Sequence, residues 1–168
     1  IDAGASHGAM AIIGSMQGSA GEQVDRQTAL GYLGESLARL GSHAAMHGVP
    51  LLYEPLNRYE TDLVHKLAEA TRLLSEAGAE NVRLLADLFH MNIEDTSFSA
   101  SIYDARDYLH YLQISDSNRK YPGGGHVPFR DIISSLQSIN FSGYLSLQIE
   151  RIPDFKTSAK LGINNLRS

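Results

Sequence analysis

The sequence predicts an α/β protein built on a parallel sheet, and three observations carry that prediction. Short apolar runs alternate with longer amphipathic ones. The short runs are nearly continuous in Leu, Ile and Val, as strands buried on both faces are. The alternation proceeds with no linker and no low-complexity stretch, so the chain reads as five successive βα units in a single domain, residues 1–168. Repeated βα units imply a parallel sheet with crossover helices.

The expected strands are Ala9–Gly14, Pro50–Glu54, Val82–Asp87, Leu109–Ser115 and Tyr144–Ile149. In the first helical pattern Leu30, Leu33, Leu37, Leu40 and Ala44 recur at three- and four-residue steps, and Gly48 followed by Pro50 stops it. In the second, Thr61 or Asp62 is the expected cap of a run in which Leu63, Leu67, Ala70 and Leu74 share a face, ending at Gly78. Weaker helical patterns cover Phe98–Tyr108 and Phe129–Ile139, and a last one spans Phe155–Leu166.

Composition excludes several classes of function. The chain has 168 residues, 43% hydrophobic and 20% charged, which suits one domain. A net charge of -5 leaves no basic surface for a phosphate backbone, so nucleic acid is not an expected partner. Cysteine is absent, which removes disulfides, thiolate nucleophiles and Cys-based zinc sites and fits a cytoplasmic location. No apolar run approaches the ~20 residues of a membrane span. The first residues, Ile1-Asp2-Ala3-Gly4, carry neither an initiator Met nor a signal-peptide pattern and read as the middle of a longer sequence.

Two architectures fit this pattern. A doubly wound sheet would be complete at this length, whereas a (β/α)8 barrel of about 250 residues would be represented only by its later part. Length favours the first. Polar residues favour the second, because four expected strands end in an oxygen-bearing side chain: Glu54, Asp87, Gln113 and Gln148. Such groups are costly to bury without a partner, and barrel enzymes carry their reactive groups at these strand ends. Two carboxylates and two amides make an all-oxygen set suited to Mg2+ or Mn2+. The plainer reading is that each merely caps its strand.

Three blocks are more specific: Glu54-Pro55-Leu56-Asn57-Arg58-Tyr59-Glu60-Thr61, Asp87-Leu88-Phe89-His90-Met91-Asn92-Ile93-Glu94, and Asp116-Ser117-Asn118-Arg119 with Gly125-His126. With these the chain resembles the sugar (phosphate) isomerase/epimerase family of xylose-isomerase-like TIM barrels, which includes ketose 3-epimerases and hydroxypyruvate isomerase. The resemblance runs through essentially the whole chain and implies an incomplete barrel, about strands 4–8 of eight, with three βα units absent. It implies one divalent metal ion bound by Glu54, Asp87, Gln113 and the eighth-strand position. It also implies that Glu54 is catalytic and that Glu60, His90 and Arg119 bind substrate. The chain departs from the family at that eighth-strand position, which holds Gln148 where a Glu is expected. Glu150 would share a face with Gln148 if the strand continued, and so could replace it.

The implied chemistry is proton transfer next to a carbonyl, through an enediolate, on a ketose or related small hydroxy-carbonyl sugar. Epimerisation needs an acid/base on each face of the planar intermediate, and Gln148 has no proton to exchange. The substitution therefore tilts the reading toward a one-base isomerisation, or toward an impaired or accessory homologue that keeps the fold. A phosphodiesterase related to apurinic endonucleases would need a His-rich multi-zinc site and a basic groove, and neither is evident. His43 and His47 are four apart on one expected helix, a chelating spacing, but with no third ligand nearby they read as a surface pair. Gly123-Gly124-Gly125 lacks dinucleotide spacing and reads as a loop. The two open edges of a partial barrel predict a homo-oligomer, or a terminal helix that covers the gap.

Overall fold

A computed structural model describes residues 1–167. Five strands form one sheet: β1 (Ile12–Ile13), β2 (Leu51–Tyr53), β3 (Val82–Asp87), β4 (Leu109–Ile114) and β5 (Tyr144–Leu147). All four pairings are parallel, and the strands lie side by side in chain order. A doubly wound sheet reverses its order at a switch point; sequential order is the path of a barrel wall. The architecture is a partial TIM barrel, as the polar strand ends implied and length alone did not.

Seven helices accompany the strands among the described residues: α1 (Asp2–Ala5), α2 (Arg26–Met46), α3 (Leu67–Glu76), α4 (Leu88–Glu94), α5 (Phe98–Asp104), α6 (Phe129–Ser138) and α7 (Phe155–Arg167). Helix α2 starts where the Asp25 carboxylate accepts from the Thr28 amide at 3.1 Å, satisfying an N-terminal donor that the helix itself leaves unpaired. Its buried face is Ala29, Leu33, Gly34, Leu37, Gly41 and Ala44. Gly41 belongs there because a Cβ would come within 2.8 Å of Val82 Cγ2 on β3. Gly48, at φ 70°, turns the chain out of the helix and into β2.

Helix α3 differs from expectation. It begins at Leu67 behind Lys66, which makes no side-chain cap, so neither Thr61 nor Asp62 starts it. Both residues are occupied elsewhere: Thr61 Oγ1 accepts from the Leu63 amide at 3.2 Å, and Asp62 Oδ1 accepts from the Ala20 amide at 3.1 Å. Arg26 donates to the carbonyls of Asp62 and Leu63, pinning this loop to the start of α2. Leu63 is still buried, but from a loop. Its helical spacing with Leu67 therefore signalled burial and not helix.

The core lies between sheet and helices. Leu51, Tyr53, Leu84 and Leu112 from the strands, with Leu37, Leu67, Leu74 and Ile102 from the helices, are fully buried there, while Leu52 and Leu85 are fully buried on the opposite face of the sheet. Each such side chain contributes about 1.5–3 kcal/mol of burial. The edges are less covered. Ile12 on β1 is 36% exposed, and Tyr144 and Leu145 on β5 are 59% and 48% exposed. Helix α7 packs near β5, where Gly162 approaches Leu147 and Pro122. No helix of the described residues is long and apolar enough to cross a membrane.

One half-buried charge is poorly compensated. Asp95, the C-cap of α4, has an Oδ2 with no hydrogen-bond partner, and burial pushes its carboxyl up from 3.8 to about 6. A group whose folded-state pKa is raised holds its proton more tightly when folded, so stability falls as pH rises between 3.8 and about 6. Asp95→Asn removes that loss. In urea titrations the variant is expected to match the parent near about pH 4 and to exceed it near about pH 7.5. Equal midpoints at the higher pH would refute the assignment.

Candidate metal centre

Because all five strands run the same way, their C-terminal ends share one rim. The register then decides which side chains meet. Asp87 and Gln113 are paired residues on β3 and β4, and Gln113 pairs with Ser146 on β5. Gln148 lies two residues beyond Ser146, on the same side of an extended chain. On the other flank Tyr53 pairs with Leu84, which sets the next residue, Glu54, against Leu85, and Leu85 shares a face with Asp87. Four residues far apart in sequence therefore point into one space.

The amide oxygen of Gln113 faces Glu54 Oε1, Asp87 Oδ2 and Gln148 Oε1, all of them acceptors. Turned over, its nitrogen would lie 3.2 Å from Asp87 Oδ2 and 3.3 Å from Glu54 Oε1. In that orientation the amide nitrogen satisfies both carboxylates, and the same convergence of oxygens is a set that a divalent cation can hold in its place. The residues present thus fit the group that the sequence implied. Glu150 does not join them. Strand β5 stops at Leu147, and the Glu150 amide donates to the Arg119 carbonyl at 2.7 Å while the residue remains exposed.

Glu54 and Asp87 are both buried. Burial, reinforced by the charge of Asp87 and opposed by Arg119, pushes the Glu54 carboxyl up to about 7. A Cβ at position 14 would stand 2.8 Å from Glu54 Oε2, so Gly14 at the end of β1 is what lets the carboxylate lie there. The two oxygens of Asp87 are divided. Oδ1 caps α4 by accepting from the Phe89 amide at 2.8 Å, and Oδ2 accepts from Arg119 Nη1 at 2.5 Å. The short helix α4, absent from the sequence-based expectation, starts at this carboxylate and carries His90 on its first turn.

His90 is buried, and desolvation holds its pKa below the usual imidazole value. Its Nδ1 faces two donors of Asn57, the side-chain amide at 2.7 Å and the backbone amide at 3.3 Å. Those donors make Nδ1 the acceptor, and the ring proton sits on Nε2, 3.8 Å from Glu54 Oε1. Arg119 Nη2, a donor, lies 3.4 Å from Nε2, and the much shorter 2.7 Å contact of Asn57 with Nδ1 outweighs it in setting the tautomer. Although His90 lies within ligand distance of Glu54 and Asp87, it offers the rim a proton and not a lone pair. Glu60 Oε1 accepts from Asn57 Nδ2 at 3.0 Å, and its side chain is 47% exposed at the mouth. Arg119 lies over the Phe89 ring at 4.3 Å.

Three supports went unnoticed in the sequence. Glu94 accepts from Arg58 Nε and Nη2, each at 2.9 Å, and from the Arg58 amide at 2.8 Å. The hydrogen bond from Arg58 holds the Glu94 carboxyl down at about 2 and ties the loop after β2 to α4. Asp116, fully buried, accepts from the amides of Ser117 and Gly123 at 2.8 Å and of Val127 at 3.0 Å. It shapes the glycine loop and the turn in which Arg119 adopts φ 60°. Asn57 orients His90, as described above. All three stand inside the specific sequence blocks, but nothing in one sequence indicates that position 58 pairs with position 94.

Known proteins resemble this chain in sequence and in fold. A 3-dehydro-D-guloside 4-epimerase of Escherichia coli is 35% identical over 111 residues, 66% of this chain and 42% of that protein. A D-psicose 3-epimerase of Agrobacterium fabrum is 35% identical over 115 residues, 68% of this chain and 38% of that protein. The crystal structure of D-psicose 3-epimerase with D-tagatose from Clostridium cellulolyticum superposes with a TM-score of 0.82 at 25% identity, covering 94% of this chain and 63% of that one. The chain therefore spans only part of the length of these relatives. The sequence profile of the xylose isomerase-like TIM barrel family matches residues 1–168, and the chain belongs to that family.

Proposed function

We propose that the chain carries the reactive rim of a divalent-metal-dependent isomerase or epimerase acting on a ketose or related small hydroxy-carbonyl sugar. In this reading residues 1–168 are one domain, the C-terminal portion of the barrel, working in the cytoplasm. Glu54, Asp87, Gln113 and Gln148 hold one Mn2+ or Mg2+ ion, Glu54 is also the catalytic base, and Glu60, His90 and Arg119 bind substrate oxygens. The observation that carries the reading is the crowding of acceptor oxygens around the Gln113 amide. The sugar epimerases among its relatives support the substrate class.

When bound, the ion would polarise the substrate carbonyl and stabilise negative charge developing on its oxygen. The side chains do the remaining work. Glu54 Oε1 turns into the rim while Oε2 rests against Gly14, so one oxygen is positioned to take the proton from the carbon beside the carbonyl and to return it. The Nε2–H of His90 donates to a substrate oxygen, and Arg119, anchored on Asp87 and Phe89, spends its remaining N–H groups on another. Glu60 accepts from a hydroxyl at the mouth of the site.

Gln148 favours a second reading. An amide cannot exchange a proton, and Asp87 already holds the Phe89 amide and Arg119, so Glu54 is the one carboxylate of the proposed ligand set left to move a proton. A one-base aldose–ketose shift is compatible with that arrangement, and so is a catalytically impaired or accessory homologue. A homo-oligomer is the proposed assembly, supported by the apolar side chains exposed on β1 and β5.

Metal-dependent exchange of a substrate C–H with deuterated water, followed by NMR, separates these readings: exchange supports the enzyme, and its absence with every divalent ion supports the accessory homologue. Glu54→Gln is expected to reduce that exchange by about 10²–10⁴-fold. Gln148→Glu restores a third anionic ligand and is expected to tighten Mn2+ binding by about tenfold or more in calorimetry; unchanged affinity would place Gln148 outside the ligand set. Light scattering is expected to report a species larger than one chain, and a stable monomer would end the oligomer proposal.

A further inference from the structure

At the other end of the sheet lies a second group of ligand atoms. Helix α2 ends just before β2 begins, so its last turn sits at the N-terminal ends of the strands, opposite the rim. That turn carries His43, and His47 follows as the C-cap residue. Their rings meet edge to face at 5.0 Å. Asp2, from α1, reaches across and places Oδ1 2.5 Å from His43 Nε2 and 3.3 Å from His47 Nε2. One oxygen and two nitrogens thus converge, all within 4.8 Å of one another.

We propose that Asp2, His43 and His47 form a second metal site, selective for a borderline transition ion such as Zn2+ and distinct from the oxygen-lined rim. Ligand atoms set tetrahedrally about zinc at 2.0–2.1 Å stand about 3.3 Å apart. The His47–Asp2 separation already has that value, and the His43–Asp2 contact needs to open by less than about 1 Å. All three side chains are at least one-third exposed, with Asp2 at 70%, so they can adjust, and water can supply the fourth ligand. Two imidazoles a helical turn apart chelate well, and the sequence lacked only the third ligand, which stands 41 positions before His43.

Donor type separates this cluster from the rim. The rim offers carboxylate and amide oxygens, suited to hard ions, whereas two imidazole nitrogens prefer Zn2+, Ni2+ or Cu2+. Bound there, an ion would staple the segment ahead of β1 to α2, adding a cross-link where Asp2 now holds on through a carboxylate shared by two rings.

The test uses the untagged chain with the rim disabled by Glu54→Gln and Asp87→Asn, titrated with Zn2+ by calorimetry and with Co2+ by visible absorption. The expected result is one equivalent of Zn2+, a rise in thermal midpoint, and a Co2+ d–d spectrum of a four- or five-coordinate ion. His43→Ala or His47→Ala should abolish all three signals, and Asp2→Asn should weaken Zn2+ binding by about tenfold. Circular dichroism of the metal-free variants checks that they remain folded. If the rim double variant does not fold, His43→Ala in the otherwise unaltered chain should lower the Zn2+ stoichiometry by one. Absence of Zn2+ binding to a folded rim variant, or binding unaffected by His43→Ala and His47→Ala, would overturn the proposal.

Discussion

The parallel register is the constraint from which the rest of this structure follows. It brings Glu54 and Asp87, two acids that would otherwise repel, to the same side of adjacent strands in a buried space. Like charges removed from water can be held only if something positive or hydrogen-bonding answers them. Arg119 answers Asp87 through Oδ2, but Glu54 has no such cation in direct contact, and its carboxyl rises accordingly. In the proposed site a divalent ion would supply the positive charge that Glu54 lacks.

Around this pair, the loops are fastened by acids that never face the rim. Glu94 grips Arg58 and thereby fixes Asn57, which fixes His90. Asp116 gathers three backbone amides and so sets the turn that delivers Arg119. Both carboxylates sit in hydrogen-bonded surroundings that favour their charged form, in contrast to Glu54 and Asp95. The chain thus keeps these supporting acids ionised and leaves Glu54, poorly compensated, in the space where chemistry is proposed.

Much of this was legible in the sequence because it is periodic or local. The five apolar runs became strands, and Gly48 and Gly78 terminated helices through positive φ. The polar strand ends pointed to a barrel rim because closing a buried strand with Glu54 or Asp87 is costly anywhere else. Other features were hidden for a physical reason. Leu63 keeps helical spacing with Leu67 yet lies in a loop, because Arg26 and Ala20 capture the residues that would have capped it. Helix α4 is only seven residues long and begins inside the strand's last residue, too short for a hydrophobic period to declare itself. The Arg58–Glu94 clamp and the approach of Asp2 to His43 depend on contacts across 36 and 41 positions, which only folding creates.

The amide of Gln113 has a consequence of its own. A primary amide carries a donor and an acceptor on one planar group, so a half-turn converts it from a partner for anions into a partner for cations. A carboxylate at that place would add a third negative charge to a vacated rim and push it apart, and an imidazole would have to trade protons to change roles. In the proposed site, glutamine would let an ion leave and return without any change in protonation at that residue.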